Sequence, residues 1–370
     1  MTTPRPDHPD RGTAARPAPR LIIDLGAIRR NYATLQSLAP TAHVGAVVKA
    51  NGYGLAAAEV VPTLADAGCR CFYVAHTSEA REVREALGER PADIFVFNGF
   101  WPSELDELRT LSLFPVINDL GQLEALRQQA PDLPFALHFD TGMSRLGLDA
   151  DETDALIADP TRLDGLHLRQ IMSHLACADA PDHPLNARQQ QRFDRIRRAF
   201  PAIPASLSNS AGTVLGPDYH YDVLRPGLAL FGGMPPVGQP SPFEPVVSIE
   251  APILQIRTLR AGDTVGYGAS LTVDGPRRVA TVAAGYADGL LRAFGNGGFG
   301  RIGEARVPIL GRVSMDLICV DIDAVRDPLK PGDPVRFLGA DIEDMAQSAA
   351  TIPYEFLVRL GIRFDRDYRP

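Results

Sequence analysis

The sequence predicts an α/β protein, a (β/α)₈ barrel followed by a smaller, mostly-β carboxy-terminal domain, and three observations carry that prediction. From about residue 43 to 231, short β-type runs alternate with longer runs of helical periodicity, as βα units around a parallel sheet do. Eight β-type runs can be counted in that stretch, the number that closes a barrel. After residue 231 the texture changes to Pro- and Gly-rich turns between β-type runs. A chain of 370 residues has room for one large domain and a smaller one.

Residues 1–19 are rich in Pro and Arg and lack the apolar core of a signal peptide, so a disordered tail is expected there. Residues 20–240 form the predicted barrel; within them, 20–25 read as a strand that can pair with the β domain in place of the barrel. The eight barrel strands are HVGAVV (43–48), CFYVA (71–75), DIFVF (93–97), LFPVI (113–117), PFALHF (134–139), LRQIMS (168–173), ASLS (205–208) and YDVL (221–224). Between them, segments such as TSEAREVREALGE and NARQQQRFDRIRRAF space apolar residues helically, with Arg and Glu on the other face. The cluster GGMPPVGQPSPFEP leads into residues 241–370, where VVSIEAPILQIRTL, RRVATVAAGY, ARVPILGRV and LICVDIDAV read as strands. GFGRIG (298–303) matches a dinucleotide fingerprint in letters only, because that motif needs a strand before it and a helix after it.

Composition narrows the function. A formal charge of -8 and a pI near 5.5, with no basic block beyond the tail, argue against a nucleic-acid surface. No apolar run is long enough to span a bilayer, and a cytoplasmic enzyme of small molecules is expected. Cys69, Cys71, Cys177 and Cys319 show neither CxxC pairing nor a disulfide framework, and the eight histidines show no metal-ligand spacing, so no metal is expected.

The chemistry starts at AVVKANGYGLA (46–56). Of the 37 basic side chains only Lys49 and Lys330 are lysine. An arginine cannot lose its charge near neutral pH, whereas a lysine amine can, and can then attack a carbonyl carbon. Lys49 directly follows the first barrel strand, at the rim where reactive groups of such barrels sit. A rim salt bridge is the plainer use of a lysine there. In a chain this poor in lysine, a Schiff base is favoured, and pyridoxal phosphate is its natural partner.

VVKANGYG also resembles the cofactor-lysine motif of the alanine racemases, pyridoxal-phosphate enzymes built from a TIM-type barrel and a carboxy-terminal β domain, and the resemblance runs from residue 20 to 370. It implies pyridoxal 5'-phosphate as cofactor, alanine as substrate, a homodimer with shared active sites, and two proton-exchanging groups, Lys49 and Tyr267 (in TVGYGAS). In DTGMSRLGL (140–148), Arg145 matches the arginine that holds the substrate carboxylate, for which a planar guanidinium is suited. His174 in MSHLACAD matches the histidine near the cofactor ring, and Arg225 in RPGLALFGG matches the arginine that faces the ring nitrogen. A fixed cation there weakens the electron sink, which suits a racemase and disfavours a decarboxylase. Asn209 and Ser210 in LSNSAGT, the backbone of Gly227 and Leu228, Tyr53 and Tyr354 (in TIPYEFL) correspond to phosphate contacts. Tyr286 in GYADG, at the entrance, and Met315 and Asp316 in GRVSMD, inserted across the dimer interface, correspond to substrate-side residues.

Three positions depart from the family pattern. His138 stands where many members carry a carbamylated lysine that steadies the arginine, YGLA replaces YGHG, and Phe231 replaces a frequent tyrosine. A broad-specificity racemase is the nearest alternative. A non-catalytic pyridoxal-phosphate carrier is a different class; it would be a single barrel with no use for the β domain.

Overall fold

In the computed structural model, residues 18–233 and 241–370 are described; the expected tail lies almost wholly outside them. Seven parallel strands follow one another around one sheet: Ala46–Val47, Cys71–Val74, Asp93–Val96, Leu113–Ile117, Pro134–His138, His167–Met172 and Ala205–Ser206. The eighth, Val223–Leu224, pairs in parallel with His43–Val44. The N–H groups of Asp222 and Arg225 bridge the last gap, donating to the carbonyls of Ala205 and Ser208 at 3.0 and 2.9 Å. All eight predicted barrel strands are therefore present. The first differs from expectation: it divides at Gly45, so that its first half is registered on the eighth strand and its second half on the next strand, Cys71–Val74.

Apolar runs place these strands inside. Phe72, Tyr73, Val74, Ile94 and Val96 are buried, and the Tyr73 hydroxyl, at the barrel centre, donates to Gln170 Oε1 at 3.0 Å. Each such side chain contributes roughly 1.5–3 kcal/mol by leaving water. The helix Thr77–Leu87 buries Thr77, Ala80, Val83 and Leu87, the stripe expected from its periodicity.

The second unit is built on one 13-residue strand, Val247–Leu259. Its first half pairs with Pro334–Leu338 and its second with Arg277–Val282, with a bulge between Ile253 and Gln255 that lets one strand serve two partners. Ile318–Asp321, Ala305–Leu310 and Phe299–Ile302 complete a ring of six strands. GFGRIG lies largely in the Phe299–Ile302 strand of a hairpin, which confirms that it is no nucleotide loop.

The two units are tied at both chain ends. Arg20–Asp24 adds to the ring strand Val247–Leu259 and pairs on its other side with Asp365–Arg369. It then runs straight into helix Leu25–Leu38, capped by Asp24 Oδ1 accepting from Ala27 N–H at 2.7 Å, and that helix packs on the barrel. No helix among the described residues is long and apolar enough to cross a membrane.

Candidate active site

The carboxyl ends of the barrel strands open into a cavity of about 500 Å³. Lys49, Tyr53, Arg145, His174, Asn209, Ser210, Arg225, Gly227 and Tyr354 line it, together with His138 and Asn98. Nine of the predicted site residues thus meet in one place, drawn from barrel strand ends and, for Tyr354, from the helix Pro353–Val358. Among the described residues no Asp or Glu lines it. A wall with one lysine, two arginines and no carboxylate is built to receive an anion.

Lys49 opens a left-handed turn. Ala50, Asn51, Gly52 and Tyr53 all have φ between 52° and 61°, a conformation that non-glycine residues adopt only under restraint. The restraints are visible. Glu79 Oε1 accepts from Ala50 N–H at 2.7 Å, while its Oε2 accepts from Ala75 and His76 N–H at 2.8 and 3.2 Å. Asn51 Oδ1 accepts from Ala57 N–H at 2.7 Å. From the other unit, Arg366 donates to the Gly54 carbonyl at 2.8 Å and Tyr368 to that of Leu55 at 3.2 Å. Burial, with help from Arg145 and against Glu79, lowers the Lys49 pKa and makes the free amine more accessible.

Asn209 caps helix Ser210–Leu215, its Oδ1 accepting from Gly212 N–H at 2.9 Å. Ser210 is therefore free of the capping role that a serine there commonly fills, and its Oγ instead accepts from Gly227 and Ala229 N–H at 3.0 and 3.1 Å. Gly227 allows the closest approach at the site: a Cβ there would lie 2.1 Å from the Tyr53 hydroxyl oxygen. Tyr53 packs against Phe231 and Tyr354, ring centroids 4.8 and 5.8 Å apart. Burial keeps both phenols protonated, Tyr354 with a pKa pushed up to about 12.

Arg225 is buried, donating from its two Nη atoms to Ser206 Oγ and the Ser173 carbonyl. Its Nε is a buried donor with no partner. Burial lowers its pKa to about 10, which leaves it charged at neutral pH. Burial also holds His174 neutral, reinforced by Arg225, Arg145, His138 and Lys49.

Five predicted residues do not line the cavity. Tyr267, in the turn between Thr264–Val265 and Leu271–Thr272, is 72% exposed and does not line the cavity of its own chain. Tyr286, Met315 and Asp316 form a second exposed group on the β domain. Tyr286 and Ala287 N–H donate to the Ser314 and Met315 carbonyls, both at 3.0 Å. Arg363 clamps the two loops, reaching Asp316 at 2.6 Å and both oxygens of buried Asp288 at 3.0 Å. Leu228 is buried behind the cavity, at the start of the turn Leu228–Phe231. Sequence reasoning missed Glu79, Asn98 and Asn118. Only Glu79 carried a signal, as an acid in the first turn of a helix.

Comparison with known proteins agrees along nearly the whole chain. Residues 23–235 match the family described as alanine racemase, N-terminal domain, and residues 246–368 match alanine racemase, C-terminal domain. The chain is 46% identical to the catabolic alanine racemase of Agrobacterium fabrum, covering 94% of this chain and 91% of that one. It is 44% identical to the alanine racemase of Rhodospirillum rubrum, covering 98% and 97%. Among solved structures, alanine racemase from Bartonella henselae with covalently bound pyridoxal phosphate superposes with a TM-score of 0.89 at 36% identity, covering 95% of this chain and 99% of that one. The biosynthetic alanine racemase of Pseudomonas aeruginosa gives the same score and identity, covering 96% and 100%.

Proposed function

The chain belongs to the alanine racemase family, pyridoxal-phosphate-dependent enzymes that interconvert L- and D-alanine, and from that premise we propose that Lys49 and Tyr267 are its two proton-exchanging groups, contributed by different copies of the chain. The strongest support is Lys49 itself, its amine pKa lowered, on the wall of a cavity that holds two arginines and no carboxylate.

The residues present suit the cofactor. A phosphate, a phenolic oxygen and a substrate carboxylate bring several negative charges, and this cavity offers cations without a competing acid. The unpartnered Nε of Arg225 is a donor waiting for an acceptor. When bound, pyridoxal phosphate supplies a carbon that an amine can capture and a conjugated ring that takes up the electron pair left by the α-proton. Asn209, Ser210, Tyr53, Tyr354 and the backbone of Gly227 and Leu228 would hold the phosphate. Arg225 would meet the ring nitrogen, its fixed charge disfavouring protonation there, with His174 beside the ring. Arg145 would take the substrate carboxylate in its planar fork.

Lys49 exchanges the α-proton on one face of the substrate, and Tyr267 of a second copy serves the other. A phenol is a poor base at neutral pH unless cations lower its pKa, and the cavity mouth of another chain supplies them. The exposure of Tyr267, Tyr286 and Met315 supports such insertion, and Asp316 would enter with them. Residues 20–240 are then the cofactor-holding unit and 241–370 the unit that presents Tyr267 to its partner. Four unpaired cysteines support a cytoplasmic setting.

Mixing two inactive variants tests this. In a dimer of Lys49→Ala with Tyr267→Phe, one site carries both changes and the other neither. Random subunit exchange should therefore restore about a quarter of wild-type D-alanine formation, read by chiral chromatography. No recovery after verified exchange, or activity in either variant alone, would overturn the shared-site assignment. L-serine assayed alongside measures the breadth of specificity.

A further inference from the structure

His138 lines the cavity, yet the roles assigned above leave it unused. It ends strand Pro134–His138, after which the chain runs out through the Arg145 loop and returns: Leu148 N–H donates to the His138 carbonyl at 2.8 Å and Asp140 N–H to the Leu148 carbonyl at 2.9 Å. Arg145 therefore projects from a loop pinned at both ends to the strand end that carries His138. The acid of that loop, Asp140, is committed to backbone, its Oδ1 accepting from Gly142, Met143 and Ser144 N–H at 2.8, 2.9 and 3.1 Å. Among the described residues the Arg145 guanidinium has no hydrogen-bond or ion-pair partner.

The state of the imidazole follows from Asn118. Asn118 Nδ2 donates to the Phe97 and Val116 carbonyls at 2.9 and 2.8 Å, which only the amide nitrogen can do. Its Oδ1 is then the atom 2.8 Å from His138 Nδ1. An oxygen acceptor there requires the hydrogen on Nδ1, so the neutral ring carries its lone pair on Nε2. The ring stays neutral because burial, then Arg225 and Arg145, lower its pKa to about 3 against Asp140 alone. Of the two arginines, Arg225 already gives both Nη atoms to the protein. Arg225 keeps only its Nε unpartnered, the group assigned above to the ring nitrogen, whereas the whole Arg145 guanidinium has no partner among the described residues.

We propose that His138 is a positioning residue: a neutral imidazole, fixed by Asn118 in the tautomer with its hydrogen on Nδ1, whose Nε2 takes up an N–H of the unpartnered Arg145 when the substrate carboxylate binds and so turns the rest of the guanidinium toward that carboxylate. The proposal rests on the role given to Arg145 above. A neutral acceptor orients the guanidinium without cancelling its charge.

The test compares His138→Leu, His138→Gln and Arg145→Leu in the cofactor-loaded enzyme. Glutamine can donate to Asn118 and accept from Arg145 at once; leucine can do neither. His138→Leu should raise the KM for L-alanine and the inhibition constant for propionate together, by roughly 10-fold, with kcat changed less and the bound-cofactor absorbance kept. His138→Gln should return both constants to within about 2-fold of wild type. In the wild type, imidazole ¹⁵N shifts should report hydrogen on Nδ1 and no titration between about pH 5 and 8. Hydrogen on Nε2 would overturn the proposal even if the leucine variant does not fold, and the glutamine variant then carries the binding comparison against Arg145→Leu. Unchanged KM and inhibition constants in His138→Leu, equal losses in both His138 variants, or a ring titrating near its ordinary value would overturn the proposal. If Arg145→Leu also left alanine and propionate binding intact, the Arg145 assignment itself would fall; if only Arg145→Leu weakened them, the role of His138 alone would.

Discussion

The barrel mouth and the exposed face of the β domain carry the two halves of one predicted site, and they are built in opposite ways. In the barrel, Tyr53 and Arg225 are 5% and 3% exposed, held by packing and by the two Nη hydrogen bonds of Arg225 within a single chain. On the β domain, Tyr267 and Met315 are 72% and 52% exposed, and only their backbone loops are fixed. The binding half is preformed, so little ordering accompanies cofactor entry. The half proposed to carry the second proton-exchanging group faces outward, and large side chains left this open suit a surface that the proposed partner copy would cover.

The largest expected effect breaks the barrel half. Lys49→Ala should abolish the visible absorbance of covalently held cofactor and lower racemisation by at least about 10⁴-fold, since the amine is lost both as tether and as base. Tyr267→Phe should act only on the other half: cofactor absorbance unchanged, kcat lower by about 10² to 10³-fold. A Tyr267 variant that lost cofactor would blur the division between the halves, and one with full activity would remove Tyr267 from the chemistry.

The barrel half was also the more legible in sequence. Its strands are runs of β-branched and aromatic residues, and its reactive residues follow those strands directly, so Lys49, Arg145, His174 and Ser210 could be placed before any coordinates. The left-handed turn behind Lys49 could not. Gly52 and Gly54 hint at it, but positive φ at Ala50, Asn51 and Tyr53 is imposed by Glu79, Asn51 and the distant Arg366 and Tyr368. The split of the first strand at Gly45 depends on two neighbours' registers, and the Asn118 contact that sets His138 spans 20 residues. On the β domain, local sequence gave loops and tyrosines but not their target, because the contacts that would complete the site are absent from one chain.

Gly54 sharpens the comparison at the seam between the halves. It has φ +82°, and a Cβ there would lie 2.1 Å from the Leu357 carbonyl oxygen. Gly54→Ala should therefore cost about 2 to 3 kcal/mol, seen as a lower thermal midpoint, and loosen cofactor binding through the Lys49 turn. Loss of stability with unaltered cofactor affinity would mean that the β domain supports the fold without steadying the turn.

The smallest effect separates the halves by pH. His138 and His174 are both held neutral in the folded barrel, and His138 keeps its proton off down to about pH 3. Unfolded, each ring binds a proton below about pH 6.5. Between those values the unfolded chain holds more protons, so stability is full above about pH 6.5 and falls as pH is lowered, by up to about 1.4 kcal/mol per pH unit for each ring. Urea unfolding of the cofactor-free protein at pH 7 and pH 5 should show the loss, and His138→Gln should reduce it by about 2 kcal/mol, one histidine's share over that interval. An equal pH dependence in wild type and variant would mean that the His138 ring is charged in the folded barrel, and the neutral acceptor beside Arg145 would be lost with it.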